Sequence, residues 1–212
     1  MDIFGPVWHD YLDKIVTDWR ERVTDEDVVI LAGDYSWAMK LEDVVPDFDF
    51  LRNLPGKKII IRGNHDYWWS SVSRVREKLP PNTYALQNDA IKIGEYIFCG
   101  NRGWIIPEGK YDTAENRKIY ARELIRLELS LQSAKKLQTA DEKIVFITHY
   151  PPFNKNIEPS EYTRLIEQYG VSFVVFGHLH GYVNPKMYFN DINGVKYYLT
   201  SCDALKNKLV EI

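Results

Sequence analysis

Four times in this 212-residue chain a short, largely β-branched apolar run stops on a side chain that can bind metal. VVILAG leads to Asp34, KIIIRG to Asn64-His65-Asp66, IVFIT to His149, and FVVFG to His178-Leu179-His180. Runs of this length and composition, bounded by glycine or proline, read as buried strands. Strands that all deliver polar groups at their C-terminal ends place those groups along one sheet edge, where open α/β folds bind ligands. Four of the five histidines lie at these ends, so the pattern constrains both the fold and the chemistry.

The rest of the pattern fills in an α/β domain. Trp8, Leu12, Ile15, Val16 and Trp19 recur at helical spacing and predict a helix over residues 7–22. Strands are expected at 28–32, 58–62, 83–86, 90–93, 96–100, 144–148, 172–176, 183–189 and 195–200, and helices at 46–54, 68–79, 113–137 and 160–169. Gly94-Glu95 and Asn193-Gly194 sit between apolar runs and predict β-hairpins. Strands linked by helices and mixed with hairpins imply mixed sheets covered by helices. The length suits a single domain over residues 1–212. No apolar run reaches the roughly 18 to 20 residues of a membrane span, and MDIFGPVWHDYLDKIV lacks the charge pattern of a secretory signal. Cys99 and Cys202 are too few for a disulfide framework and suit buried thiols, so a cytoplasmic setting is expected. A net charge of −3 offers no general attraction to nucleic acid.

Each strand end has an ordinary reading beside a functional one. Asp34 after Gly33 suits a turn or helix cap as well as a ligand. Asn64 could serve a turn, or offer its carbonyl to a divalent ion. Asp66 beside His65 can fix an imidazole ring and favour its charged form. His149, followed by Pro151-Pro152, is a core histidine or a ligand at a forced loop exit. His178 and His180, two apart between glycines, face the same side if the backbone is extended. A set of aspartate, asparagine and histidines without cysteine suits Mn, Fe, Zn or Co.

In order, GDYSW, GNHDYWW, THYPP and GHLHG resemble the motifs of the calcineurin-like metallophosphoesterase superfamily, over roughly residues 28 to 200. The resemblance implies a four-layer αββα sandwich with two mixed β-sheets flanked by helices, and phosphomonoester or phosphodiester hydrolysis by metal-activated hydroxide. It implies two divalent metals, with Asp34 as the bridge. Asn64, His149 and His178 would complete one site, and His180 would join Asp34 at the other. His65, oriented by Asp66, would stabilise the phosphoryl oxygen or protonate the leaving group. The family also begins with a strand ending in Asp-x-His, and that first strand is missing from residues 1–27, where His9-Asp10 falls in a helical pattern. The expectation is therefore an N-terminally truncated domain with one well-formed metal site and impaired activity. The alternative is a non-catalytic metal-binding or interaction module on the same scaffold.

The expected partner is a small-molecule phosphoester, with nucleic acid disfavoured and no membrane. Trp68 leads a helical core stripe with Val72, Val75 and Leu79, whereas Trp69 falls on the other side with Ser73 and Arg76 and is the candidate substrate contact. Arg102, in GNRGW, ends another apolar run as either a phosphate ligand or an exposed loop arginine.

Overall fold

A computed structural model of the chain describes residues 5–181 and 184–212. The expected strand ends are real, and the strands divide between two sheets. In the smaller, β1 (Val28–Leu31), β2 (Lys57–Ile61) and β3 (Thr83–Leu86) lie in that order and all parallel. The larger contains β4 (Ala90–Ile93), β5 (Tyr96–Asn101), β6 (Lys143–Thr148), β7 (Phe173–Phe176), β8 (Phe189–Ile192) and β9 (Val195–Leu199), in the order β4-β5-β6-β7-β9-β8. Its β4/β5 and β8/β9 pairs are antiparallel and the others parallel.

Among the described residues five α-helices cover the sheets: α1 (Tyr11–Arg22), α2 (Val45–Arg52), α3 (Val72–Lys78), α4 (Ala114–Leu137) and α5 (Glu161–Gln168). Side chains alternate along each strand, so one face of each sheet meets the other sheet and the opposite face meets helices. Ile59, Ile61, Val145, Ile147 and Val175 fill the layer between the sheets. Ile60 instead joins Trp19, Phe48, Leu51 and Val75 beneath α1, α2 and α3, while Phe146 and Phe176 pack with Leu127, Leu131 and Ile166 of α4 and α5. These three cores make the four αββα layers. Each fully buried Ile or Phe in them contributes about 1.5–3 kcal/mol.

Several boundaries differ from expectation. Only the larger sheet is mixed: both predicted hairpins fall in it, and helical crossovers keep β1, β2 and β3 parallel. The N-terminal helix is split, with a 3-10 turn at Pro6–Trp8 and a left-handed Asp10 (φ 51°) before α1. Trp8 consequently leaves the stripe and packs beside Tyr11 and His180. Trp68 and Trp69 precede α3 rather than lying within it. The strand expected at 183–189 gives way to a 3-10 turn at Pro185–Met187, where proline supplies a fixed φ and no N–H, and β8 begins only at Phe189. Val183 lies outside the described residues.

Register explains how the site assembles. β1 and β2 run parallel with Leu31 opposite Ile60, so Gly33-Asp34 and Gly63-Asn64 leave the sheet side by side. In the larger sheet Thr148 pairs with Phe176, and the Gly177 amide donates to the His149 carbonyl at 3.1 Å. The two sheet edges meet where the Ala32 carbonyl faces the His149 ring.

Candidate metal centre

Asp34, His149 and His178 converge so that one potential ligand atom from each lies within 4.8 Å of the others. Asn64 completes the group: its Oδ1 stands 2.7 Å from His149 Nε2 and 2.9 Å from His178 Nδ1. His149 Nε2 is also 3.3 Å from Asp34 Oδ2 and 3.2 Å from His178 Nδ1. His149 is almost wholly buried.

Glycine permits this approach. A Cβ at Gly63 would stand 2.1 Å from Asp34 Oδ1, and one at Gly33 would stand 2.7 Å from His149 Nδ1. Asp34 and His178 themselves adopt left-handed backbone conformations, φ 55° and 69°. Such conformations are costly for non-glycine residues and cluster where function demands a particular side-chain direction.

The donor set fits a cation. The Ala32 carbonyl can only accept, so the 2.8 Å contact assigns the hydrogen of the neutral His149 ring to Nδ1 and leaves Nε2 a bare lone pair. That nitrogen faces two other acceptors, Asn64 Oδ1 and Asp34 Oδ2. A positive centre among them, a proton or a metal ion, removes the repulsion. Burial pushes the Asp34 carboxyl up, but a proton on His149 Nε2 donated to it, together with the His65 amide, outweighs burial and holds the group below its usual range. Burial, then the neighbouring His149, lowers His178 to about 4, so its ring is neutral at pH 7. A neutral imidazole and an ionised carboxylate are the forms that ligate metal.

A family model described as Calcineurin-like phosphoesterase matches residues 6–182. The chain belongs to the calcineurin-like phosphoesterases. Among solved structures, that of TT1561 of Thermus thermophilus is similar, with a TM-score of 0.59 at 16% identity over 92% of this chain and 84% of that one. At that identity the likeness speaks for the fold. Among curated proteins no sequence matches. Calcineurin-like phosphoesterases are metal-dependent phosphoester hydrolases, and in this one Asp34, His149 and His178 form a group that could hold a metal ion. Among the described residues no helix is long and apolar enough to cross a membrane.

The other predicted site residues of this calcineurin-like phosphoesterase lie around the cluster in different ways. His65 is tied in through its backbone, whose N–H donates to Asp34 Oδ1 at 2.8 Å. Its ring stands against Trp37 (4.9 Å between centroids), with the Tyr67 hydroxyl 3.5 Å from Nδ1. Asp66 corrects an expectation, since none of its hydrogen bonds reaches the His65 ring. Its carboxylate accepts from the amides of Gly63 (2.7 Å), Asp34 (2.9 Å), Tyr35 (2.8 Å) and Ser36 (3.2 Å), and from the Trp68 indole (3.0 Å). A buried carboxylate surrounded by donors is a fastener between the loops after β1 and β2. Burial, with a lesser push from the Asp34 charge, still raises it above the usual range.

His180 stands outside the convergent group. Its ring Nδ1 meets Asp203 Oδ1 at 2.8 Å, and the other Asp203 oxygen accepts from the Gly181 amide at 2.8 Å. No sequence signal points to Asp203, which follows β9 in an otherwise undistinguished SCDAL segment. Trp69 also corrects an expectation: it is buried and donates its indole N–H to Gln87 Oε1 at 2.7 Å. The exposed aromatics beside His65 are Trp37 and Tyr67, at 59% and 53% exposure. A tryptophan three residues after a ligand aspartate was the available signal for Trp37.

Proposed function

We propose that this chain hydrolyses a small phosphomonoester or phosphodiester at a metal site built from Asp34, Asn64, His149 and His178. The observation that carries the reading is the meeting of four ligand-type atoms from four separate strand ends, with Asn64 Oδ1, His178 Nδ1 and Asp34 Oδ2 gathered around His149 Nε2. A bound divalent ion of the Mn, Fe or Zn class supplies Lewis acidity toward the phosphoryl oxygen and a lowered pKa for water. Asp34 and Asn64 hold oxygen ligands in place, and the Ala32 carbonyl keeps the His149 lone pair aimed at the centre.

His65 is the proposed group for the phosphoryl oxygen or the leaving group. Its amide anchors on the ligand Asp34, while its ring lies on the solvent side with Trp37 and Tyr67. Those two exposed rings offer a hydrophobic rim to an aryl or base leaving group. Asp66 acts by holding the ligand loops. His180, ordered by Asp203, is the proposed contribution to a second and weaker metal position, since a carboxylate on Nδ1 leaves Nε2 free to ligate. With that position supported by few residues, turnover is expected to be slow. Cys99 and Cys202 are free thiols, which supports a cytoplasmic setting.

Hydrolysis of aryl phosphomonoesters and phosphodiesters in the presence of Mn2+ tests the reading, alongside metal analysis of the purified chain. The expected result is activity abolished by chelator and by Asp34→Ala, reduced by His65→Ala, with about one tightly held metal per chain. Metal bound without any turnover would assign the chain to the non-catalytic metal-binding alternative. Hydrolysis indifferent to chelator and to both substitutions would sink the proposal.

A further inference from the structure

Beside the metal centre lies a cavity of about 220 Å3 whose charged lining is Arg62, Arg102, Arg122, Arg126 and Glu123. Arg62 follows β2 and Arg102 follows β5, while Arg122 and Arg126 stand one turn apart on α4. The imbalance is unusual in a chain of net charge −3: four guanidiniums face one carboxylate. That carboxylate is already engaged. Glu123, fully buried, meets Arg126 at 2.5 Å through Oε1 and accepts from the Asn101 amide at 3.1 Å through Oε2. Arg102 reaches it only at 4.0 Å and lies over the Trp104 ring at 4.8 Å.

Arg62 and Arg122 have no ion pair among the described residues, and Arg62 Nε is buried without a hydrogen-bond partner. Burial and then the Arg102 charge hold Arg62 below its ordinary range. Arginine does not escape such strain by losing its proton, and a buried guanidinium N–H left without an acceptor is costly. A bound anion removes that cost. Guanidinium forks bind phosphate oxygens bidentately, and several of them facing a single, already engaged carboxylate suit an anion carrying more than one negative charge. The cavity also belongs to the same edge as the chemistry: Arg62 is two residues before Asn64, and the Arg102 carbonyl accepts from the amides of His149 and Tyr150 at 3.0 and 3.1 Å. None of the metal-cluster side chains lines it.

We infer that this arginine cavity is a second anion site that takes a phosphate or pyrophosphate group. The group comes either from a substrate with a second phosphate beyond its scissile ester or from a free phosphate anion. Only the first source rests on the phosphoester reading above.

Calorimetric titration of the full chain with pyrophosphate, after metal removal and dialysis at low ionic strength, tests the site without involving turnover. Arg122 is exposed on α4, so Arg122→Gln is expected to keep the fold, checked by circular dichroism. One pyrophosphate should bind per chain, with Kd raised at least about tenfold by Arg122→Gln or Arg62→Gln, and less by Arg122→Lys. No binding, or a Kd unchanged in both glutamine variants, overturns the inference even if the metal-dependent hydrolysis stands. Conversely, loss of hydrolysis with pyrophosphate binding retained leaves this site intact and removes only the reading of the metal centre. With Mn2+ restored, a higher KM in Arg122→Gln for an aryl phosphate carrying a second phosphate, but not for the singly phosphorylated one, keeps the site and assigns it to substrate. Equal KM values with retained pyrophosphate binding keep it as a free-anion site.

Discussion

The GHLHG segment sends its two histidines to unlike places. His178 turns into a cluster of ligand-type groups drawn from four strand ends, where each partner is fixed by another: Asp34 by the His65 amide, His149 by the Ala32 carbonyl, and the loops after β1 and β2 by Asp66. His180 lies at the rim, its side chain 47% exposed, held by Asp203 and bordered by Trp8. One site is enforced by buried geometry, while the other depends on one ion pair and local packing. A metal ion held in the first setting is expected to bind tightly, and one at the proposed second position weakly, with Asp203 as the single group that orients His180.

The largest expected effect comes from removing what stiffens the first region. Asp66→Ala would leave several buried donors unpartnered and should cost about 3–5 kcal/mol of stability in chemical denaturation. A cost below about 1 kcal/mol would show that the loops after β1 and β2 do not depend on it. Next, His149→Ala should weaken Mn2+ binding by more than about 100-fold, beyond the 10- to 100-fold carried by outer-sphere partners. Asp203→Asn tests the second region. Its amide oxygen still accepts from His180 without the charge that sharpens the ring, so only about a tenfold loss is expected in any weaker metal-binding phase, with the tight phase unchanged. Loss of the tight phase in Asp203→Asn would erase the distinction between the two regions.

A further effect is on pH. His178 falls to about 4 in the folded protein from an ordinary 6.5, so the unfolded chain binds more protons between those values. Stability therefore rises with pH across that window. The contribution is complete above about pH 6.5 and lost as pH falls through about 4. Thermal melts of metal-free protein should show the melting temperature declining below pH 6.5, and His178→Asn should flatten part of that slope. An identical slope in the variant would place the acid sensitivity elsewhere.

What is legible in the sequence is whatever a strand announces at its own end. Asp34, Asn64, His65, His149 and His178 can be found because an apolar run, a glycine or proline and a polar residue stand together in the chain, and parallel register then aligns them. The αββα layering follows from strand and helix periodicity together with the motif order. Asp203 cannot be found this way, because its partner His180 is 23 positions away and nothing in SCDAL marks a carboxylate that a histidine will meet. Asp66 is visible but misleading. Adjacency to His65 suggests a side-chain pair, whereas the tight turn points the carboxylate back into the loop amides. Trp69 misleads for a related reason: helical periodicity extends on paper past the start of α3, into a segment whose direction is set by the buried Asp66. The arginine cavity draws on β2, β5 and α4, and no local window contains its pattern.

The 2.1 Å separation between a Cβ built at Gly63 and Asp34 Oδ1 bears on sequences other than this one. Gly63 is not among the glycines with positive φ, so the demand there is for empty space rather than for an unusual backbone. No rotamer choice relieves it, because the clash begins at the first side-chain carbon and includes the Asp34 backbone nitrogen at 2.2 Å. A related chain with any other residue at position 63 is therefore expected to hold these two loops farther apart than they stand here, whatever histidines it keeps, and a structure of such a chain would check it.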